Sequence, residues 1–523
     1  MRTVVDGSVE GDTGGDELVS EPARARRLPT WVAPAVLAGI VALGIVLRFV
    51  QRSPLWLDEA LSVNIARLPV GDLLDALRHD GHPPLYYLIL HGWMKVVGEG
   101  DVAVRALSGL FAVAALPLAW IAGRRLAGRS GARWALVVVA LSPFWVRYGT
   151  ETRMYSLVML LVLAGYLLIL DAFERPRAGR LVAIAVISGL LLLTHYWTFY
   201  LLGAVVLLLA LRWWRQPDDR GATVRVGLAA VAGSVLFLPW LGGFLYQARN
   251  TGTPWGEPFR PTAVLQTTLA DMGGGEVTEA TLYGTVALIL ALVALFTVRS
   301  AGHEMTLDLR TAPTVRWELA TVALVLGIGS LAGYATSATY QSRYAAVVAP
   351  LALLAVAVGI TRVPGVGRLL VGLVYVAFSL AGILWVNYYQ RTQSELVGGA
   401  VAARAQPGDV VVYCPDQLGP AYSREMPDGV VELAYPALTP PDRVDWVDYA
   451  ERNAAADTNA IAQDILERAD GRAVFLVWMS EYRTFGAQCE SLVGALGLTD
   501  TLVVQDDSRY FEPAFVHWRP ATP

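Results

Sequence analysis

Apolar residues run in long blocks along this chain, and short basic clusters separate the blocks. Blocks of about 20 apolar residues match the hydrocarbon core of a bilayer. They predict membrane-spanning helices at roughly 31–50, 104–122, 134–148, 155–172, 181–195, 197–212, 224–242, 280–298, 317–336, 344–361 and 369–387. Arginines gather at 24–27, 124–129, 175–177, 212–225, 299–316 and 362–368. Basic residues favour the cytoplasmic side of a span, and about eleven spans with the N-terminus inside place every cluster there. The first loop (51–103), the 147–153 turn, the 243–279 loop and the 340–344 turn then lie outside. Leu85–Val97 is apolar but too short to span comfortably. Counting it as a span would move Arg124, Arg125 and Arg129 outside, so it is predicted to be an interfacial helix of the first outer loop. Just before it, Val70, Leu73, Leu74 and Leu77 recur at helical spacing.

Beyond residue 390 the pattern changes. Segments 408–415 and 472–478 read as buried strands, and 501–505 and 513–518 as further strands. Helical periodicity over 459–469 and 484–496 alternates with them, which implies a small α/β domain. The resulting organisation is a disordered cytoplasmic tail (1–30), a transmembrane domain (31–390) and an extracytoplasmic α/β domain (391–523). The first span lacks a small-x-small cleavage site and reads as an anchor rather than a removed signal.

Composition agrees with a polytopic α-helical membrane protein: 523 residues, 55% of them hydrophobic and 16% charged, with mean hydropathy +0.46. The net charge of −4 gives no reason to expect a nucleic-acid partner. The two cysteines, Cys414 and Cys489, both fall in the C-terminal region and are available to form one disulfide if that region is outside the cytoplasm.

Candidate chemistry collects at the outer edges. Asp58 and Glu59 follow directly on the first apolar block, where a plain anchor needs no carboxylate; the simpler reading is that they cap an interfacial helix and face water. Arg147, Arg153 and Tyr155 surround the 147–153 turn, Arg343 and Tyr344 follow the ninth span, His195 lies between spans five and six, and His82 opens a Pro-Pro segment. Arginine at a water–lipid boundary can hold a lipid phosphate bidentately, although a terminal arginine also commonly snorkels. Tyr196, Trp197 and Trp56 fit an aromatic belt, and His195 fits equally a histidine that satisfies a backbone carbonyl. A transporter or flippase for a polyprenyl-linked sugar or lipid is the competing class. It would place ionisable residues inside the spans and paired repeats about the midplane, whereas these spans are almost free of charge.

The layout resembles the GT-C membrane glycosyltransferases, closest to the branch of protein O-mannosyltransferases and lipid A aminoarabinose transferases. The resemblance covers about 30–390. It rests on Leu57-Asp58-Glu59-Ala60, His82-Pro83-Pro84-Leu85-Tyr86, Arg105-Ala106-Leu107-Ser108, Gly123-Arg124-Arg125-Leu126, Ser142-Pro143, Arg153-Met154-Tyr155, and Arg343-Tyr344 with Pro350. Many relatives carry a lysine where His82 stands. The resemblance implies inverting transfer of a sugar, such as mannose or arabinose, from a polyprenyl-phosphate donor. The acceptor would be a hydroxyl of a glycan, lipid or protein on the outer side of the cytoplasmic membrane. Asp58 would then be the general base, and Glu59 would orient the acceptor or pair with an arginine. Arg153 and Arg343, with Arg147, would stabilise the lipid phosphate, and His82, Tyr344, Tyr155 and His195 would line the substrate site. The outer loop has no Asp-x-Asp and no His/Cys cluster, so no cofactor is expected; some relatives do use a divalent ion.

Overall fold

A computed structural model describes residues 29–254, 256–275, 277–301, 304–311, 314–480, 482–505 and 509–522. The expected disordered tail lies almost wholly outside them. Each predicted span coincides with helix. Seven helices are long and apolar enough to cross a membrane, and Val32–Leu47, Ala178–Leu192 and Ala349–Arg362 are shorter apolar helices. The first of the seven, Asp101–Ala140, contains the predicted 104–122 span and the start of the 134–148 one, joined at Ala127 and Gly128, where Gly128 takes φ +62; the rest of the latter lies in the separate helix Pro143–Gly149. Only glycine enters that region at little steric cost. The molecule is a polytopic α-helical membrane protein.

The connections expected to lie outside are more structured than the hydropathy pattern suggests. The apolar helix of the seventh span continues to Asn250, and Pro261–Met272 forms a second helix inside the 243–279 stretch expected to be a loop. Proline at the first turn of that helix gives up no hydrogen bond, because its N–H would be unpaired there anyway. The 51–103 loop folds into three helices, Leu57–Arg67, Val70–Asp80 and Leu85–Val97. Gly81 at φ +88 ends the second and turns the chain into His82-Pro83-Pro84. Leu85–Val97 buries Tyr86, Tyr87, Leu90 and Met94.

The C-terminal strands form a five-stranded sheet in the order Val431–Ala434, Val410–Cys414, Val474–Trp478, Phe515–Arg519, Asp500–Val503. The first three run parallel and the last two pair antiparallel to their neighbours. Val431–Ala434 is an edge strand that the alternation did not reveal. Successive side chains point to opposite faces of a strand. Val411, Tyr413, Phe475 and Val477 accordingly join the large core that continues into the spans, while Val410, Val412, Val474 and Leu476 build a second core on the far face. A separate two-stranded parallel pair, Gln390–Thr392 with Tyr510–Glu512, joins the end of the last span to this region.

Cys414 and Cys489 are bonded, with sulfurs 2.08 Å apart, and no other cysteine exists. In intact cells both are expected to resist a membrane-impermeant alkylating reagent until a reductant is added, and then to react once the sheet is denatured. Labelling of native, unreduced protein would overturn the bond. A failure to label at all from outside would overturn the extracytoplasmic placement.

Candidate active site

Helix Leu57–Arg67 begins directly after Trp56 and carries the two adjacent carboxylates in its first turn. Consecutive helical residues project about 100° apart, so Asp58 and Glu59 meet different surroundings. Asp58 lies 3.1 Å from Arg343 Nη1 and 3.9 Å from Arg153 Nη2. Its side chain and that of Arg343 remain 15% and 18% exposed, while Arg153 is 1% exposed. The acid and Arg343 therefore keep a small accessible fraction, and the buried Arg153 backs them from within.

Arg153 is fixed from several sides. Its Nη1 donates to Ser62 Oγ at 3.0 Å and Tyr87 Oη at 3.1 Å, and Nη2 meets His82 Nε2 at 2.8 Å. His82 Nδ1 is 2.8 Å from Asp80 Oδ2, which also accepts from Tyr87 Oη at 2.9 Å. Burial works to raise the Asp80 carboxyl, but His82 beside it, together with Arg153, holds it below the usual carboxylate range. The site face of His82 thus carries a guanidinium, and its other nitrogen is oriented by a carboxylate. Sequence reasoning missed Asp80 and Tyr87; the only signal was their place on either side of the His-Pro-Pro segment.

Aromatic rings wall the site. The His195 ring packs between Tyr155, at 5.8 Å, and Tyr344, at 5.3 Å, and the Trp197 N–H donates to His195 Nδ1 at 3.1 Å. His195 Nδ1 therefore accepts a backbone N–H from the turn that leads into helix Thr198–Arg215. The Arg343 guanidinium stands over Trp56 at 5.6 Å, a cation–π distance. Among the described residues, Asp58 Oδ2, Arg153 Nε, Arg343 Nε and Tyr155 Oη are buried atoms with no hydrogen-bond partner. Buried polar groups are ordinarily satisfied, and the Tyr155 hydroxyl, between Tyr148 and His195, is left to a partner from outside the chain.

Glu59 and Arg147 turn elsewhere. Glu59 is fully buried and takes Arg105 Nε and Nη2 at 2.8 and 2.6 Å, the Thr152 N–H at 2.9 Å, and Arg391 Nη1 at 3.3 Å. Burial pushes this carboxyl up, but Arg105 and Arg391 more than compensate and hold it below the usual range. Arg391 also donates to the carbonyl of Arg147 at 3.1 Å and to Thr150 Oγ1 at 3.2 Å, and approaches Glu151 at 3.8 Å. Glu59 is thus a strut joining the Asp58 helix to the turn that carries Arg153. Arg147 pairs with Asp271 at 2.8 Å, and Asp271 also accepts from Tyr148 Oη at 2.7 Å. Ser142 and Pro143 start the short helix that presents both, Ser142 Oγ accepting from the Trp145 N–H. Arg105, Arg391 and Asp271 were missed as partners because nothing local links them to their contacts. Glu59→Gln is expected to leave two buried guanidiniums short of charge and to destabilise the fold by about 3–5 kcal/mol, read as a lowered midpoint in chemical denaturation. An unchanged midpoint would deny the strut.

Among the described residues no group of three or more His, Cys, Asp or Glu side chains is placed to hold a metal ion. Residues 81–241 match the family model described as dolichyl-phosphate-mannose-protein mannosyltransferase. Two crystal structures of ArnT from Cupriavidus metallidurans, one bound to undecaprenyl phosphate and one in the apo state, share the architecture. Their TM-scores are 0.56 and 0.59, each at 14% identity, covering 93% of this chain and 98% of theirs. The fold is that of the GT-C glycosyltransferases. No curated protein sequence matches the chain. The segment matched by the family model contains His82, Arg147, Arg153 and His195 but neither Asp58 nor Arg343.

Proposed function

We propose that this chain is an inverting glycosyltransferase. It moves a sugar such as mannose or arabinose from a polyprenyl-phosphate donor to a hydroxyl of a glycan, lipid or protein outside the cytoplasmic membrane. The observation that carries this reading is the Asp58 carboxylate beside two arginines, one partly and one fully buried. Asp58 takes the proton of the acceptor hydroxyl as that oxygen forms a bond to the anomeric carbon. The bond from that carbon to the phosphate oxygen breaks, and its electron pair leaves with the polyprenyl phosphate. Arg343 and Arg153 stabilise the charge that builds on the phosphate. A single displacement inverts the anomeric configuration.

Two further observations support a lipid donor. The ArnT structure binds undecaprenyl phosphate. In this chain an apolar cavity of about 210 Å³ lies between helices Tyr155–Glu174, Ala178–Leu192, Thr198–Arg215 and Arg316–Thr336, its lining running from Leu191 and Thr198 to Arg212. Along the helix that interval is roughly 20 Å at 1.5 Å per residue, enough for part of a prenyl tail. The Thr198 hydroxyl donates to the carbonyl of His195, so the outer end of the cavity adjoins the aromatic wall. The test is transfer by purified protein from a panel of radiolabelled polyprenyl-phosphate sugars, with nucleotide sugars as controls and the product anomer assigned by NMR. Transfer from a polyprenyl-phosphate sugar with inversion is expected; transfer only from nucleotide sugars, or with retention, would overturn the assignment.

A further inference from the structure

We infer that Glu512, brought in by the C-terminal domain, is a positioning residue for Asp58, holding the first turn of helix Leu57–Arg67 in place. The inference rests on the transferase reading for its kinetic arm only. A helix leaves its first N–H groups without intrahelical partners, and the usual N-cap residues Ser, Thr, Asp and Asn satisfy them from within. Here Trp56 stands at that position and offers no side-chain cap. The strand pair Gln390–Thr392 with Tyr510–Glu512 is packed against that turn instead. The Arg391 and Thr392 N–H groups donate to Ser53 Oγ at 3.0 and 3.4 Å, and Phe511 meets the edge of Trp56 at 5.3 Å. Glu512 pairs with Thr392 in the two-stranded ladder, is 7% exposed, and has its Oε2 buried without a hydrogen-bond partner. Tyr422 Oη, from the neighbouring short helix, donates to the Glu512 carbonyl at 2.7 Å and fixes the strand end.

The titratable groups facing Glu512 are Asp58 from the helix, Tyr422 from that short helix and Tyr482 from the loop after Val474–Trp478. Arg391, on the pairing strand, is engaged by Glu59 and Glu151 instead. Burial pushes the Glu512 carboxyl up to about 8, and Asp58 adds to the effect. At neutral pH Glu512 is therefore uncharged and sits beside the Asp58 carboxylate without repelling it. Above about pH 8 it ionises, and two carboxylates then share one helix end.

Two measurements test this. In steady-state transfer, Glu512→Ala is expected to lower kcat at pH 7 at least tenfold with little change in the donor KM. Wild-type turnover is expected to fall above about pH 8, and Glu512→Gln should restore most of the turnover lost in the Ala variant and remove that alkaline fall. Wild-type kcat in the Ala variant, or an unchanged alkaline fall in the Gln variant, would overturn the inference. The second measurement is hydrogen exchange at the amides of 57–60, which needs no substrate. A carboxyl whose pKa is raised in the closed state stabilises that state fully below its unfolded value near 4.3. It loses this contribution as pH rises towards the raised value. Wild-type protection, corrected for intrinsic exchange, should fall at least tenfold between about pH 5 and pH 8 and then level off, with no such fall in Glu512→Gln. Equal pH profiles in the two proteins would overturn the inference even if the wild-type chain proved to have no transferase activity.

Discussion

Asp58→Asn is expected to lower transfer by about 10²–10⁴-fold, the usual cost of losing a general base, while the protein stays folded. The amide keeps the size of the carboxylate, and Asp58 is a partly exposed group rather than a core strut. Its charge is what the change removes, and with it the 3.1 Å contact to Arg343. Freed from that contact, the arginine is more available to a phosphate, so donor affinity should hold or rise as turnover collapses. Turnover measured in purified variant, with donor binding measured separately, distinguishes this from misfolding, which would lower both. Near-normal turnover would remove Asp58 from the role of base.

The second large effect belongs to Arg343. Arg343→Ala is expected to slow transfer by about 10²–10³-fold, as for other donors aimed at charge that develops in the transition state. A charge-assisted contact strengthens as the phosphate departs, so kcat should fall further than donor affinity. Arg343→Lys should recover only part of the rate, because a lysine is a point charge without the bidentate fork. Arg343 is the cleaner arginine to change. Arg153 is buried and bonded to Ser62, Tyr87 and His82, so its removal would disturb the fold together with the chemistry. A fully active Arg343→Ala variant would take the donor phosphate away from this residue.

The membrane architecture was legible in the chain because each span writes its own signal: an apolar block of bilayer length bounded by arginines. The α/β character of the C-terminal region was legible for a similar reason, since buried strands such as Val410–Cys414 and Val474–Trp478 are local apolar runs. Asp58, Arg153, Arg343 and His82 could be named as polar residues at outer edges. That they share one site was decided only by the packing of three separate parts of the chain, because no periodicity couples Asp58 to Arg343.

The adjacent pair Asp58-Glu59 shows the division most sharply. In the sequence the two carboxylates are interchangeable. In the structure one turn of helix sends Asp58 to Arg343 and Arg153, where it stays partly accessible, and Glu59 to a second, buried pair of arginines. Arg391 and Glu512 show the other side of it: one follows the last span, the other lies near the end of the chain, and neither stands in a motif. Hydropathy and motif spacing report what each segment does with its own neighbours. Desolvation and ion pairing depend on what surrounds a group in three dimensions, and that surrounding is what made Glu59 a strut, Arg147 a partner of Asp271 and the C-terminal domain a neighbour of Asp58.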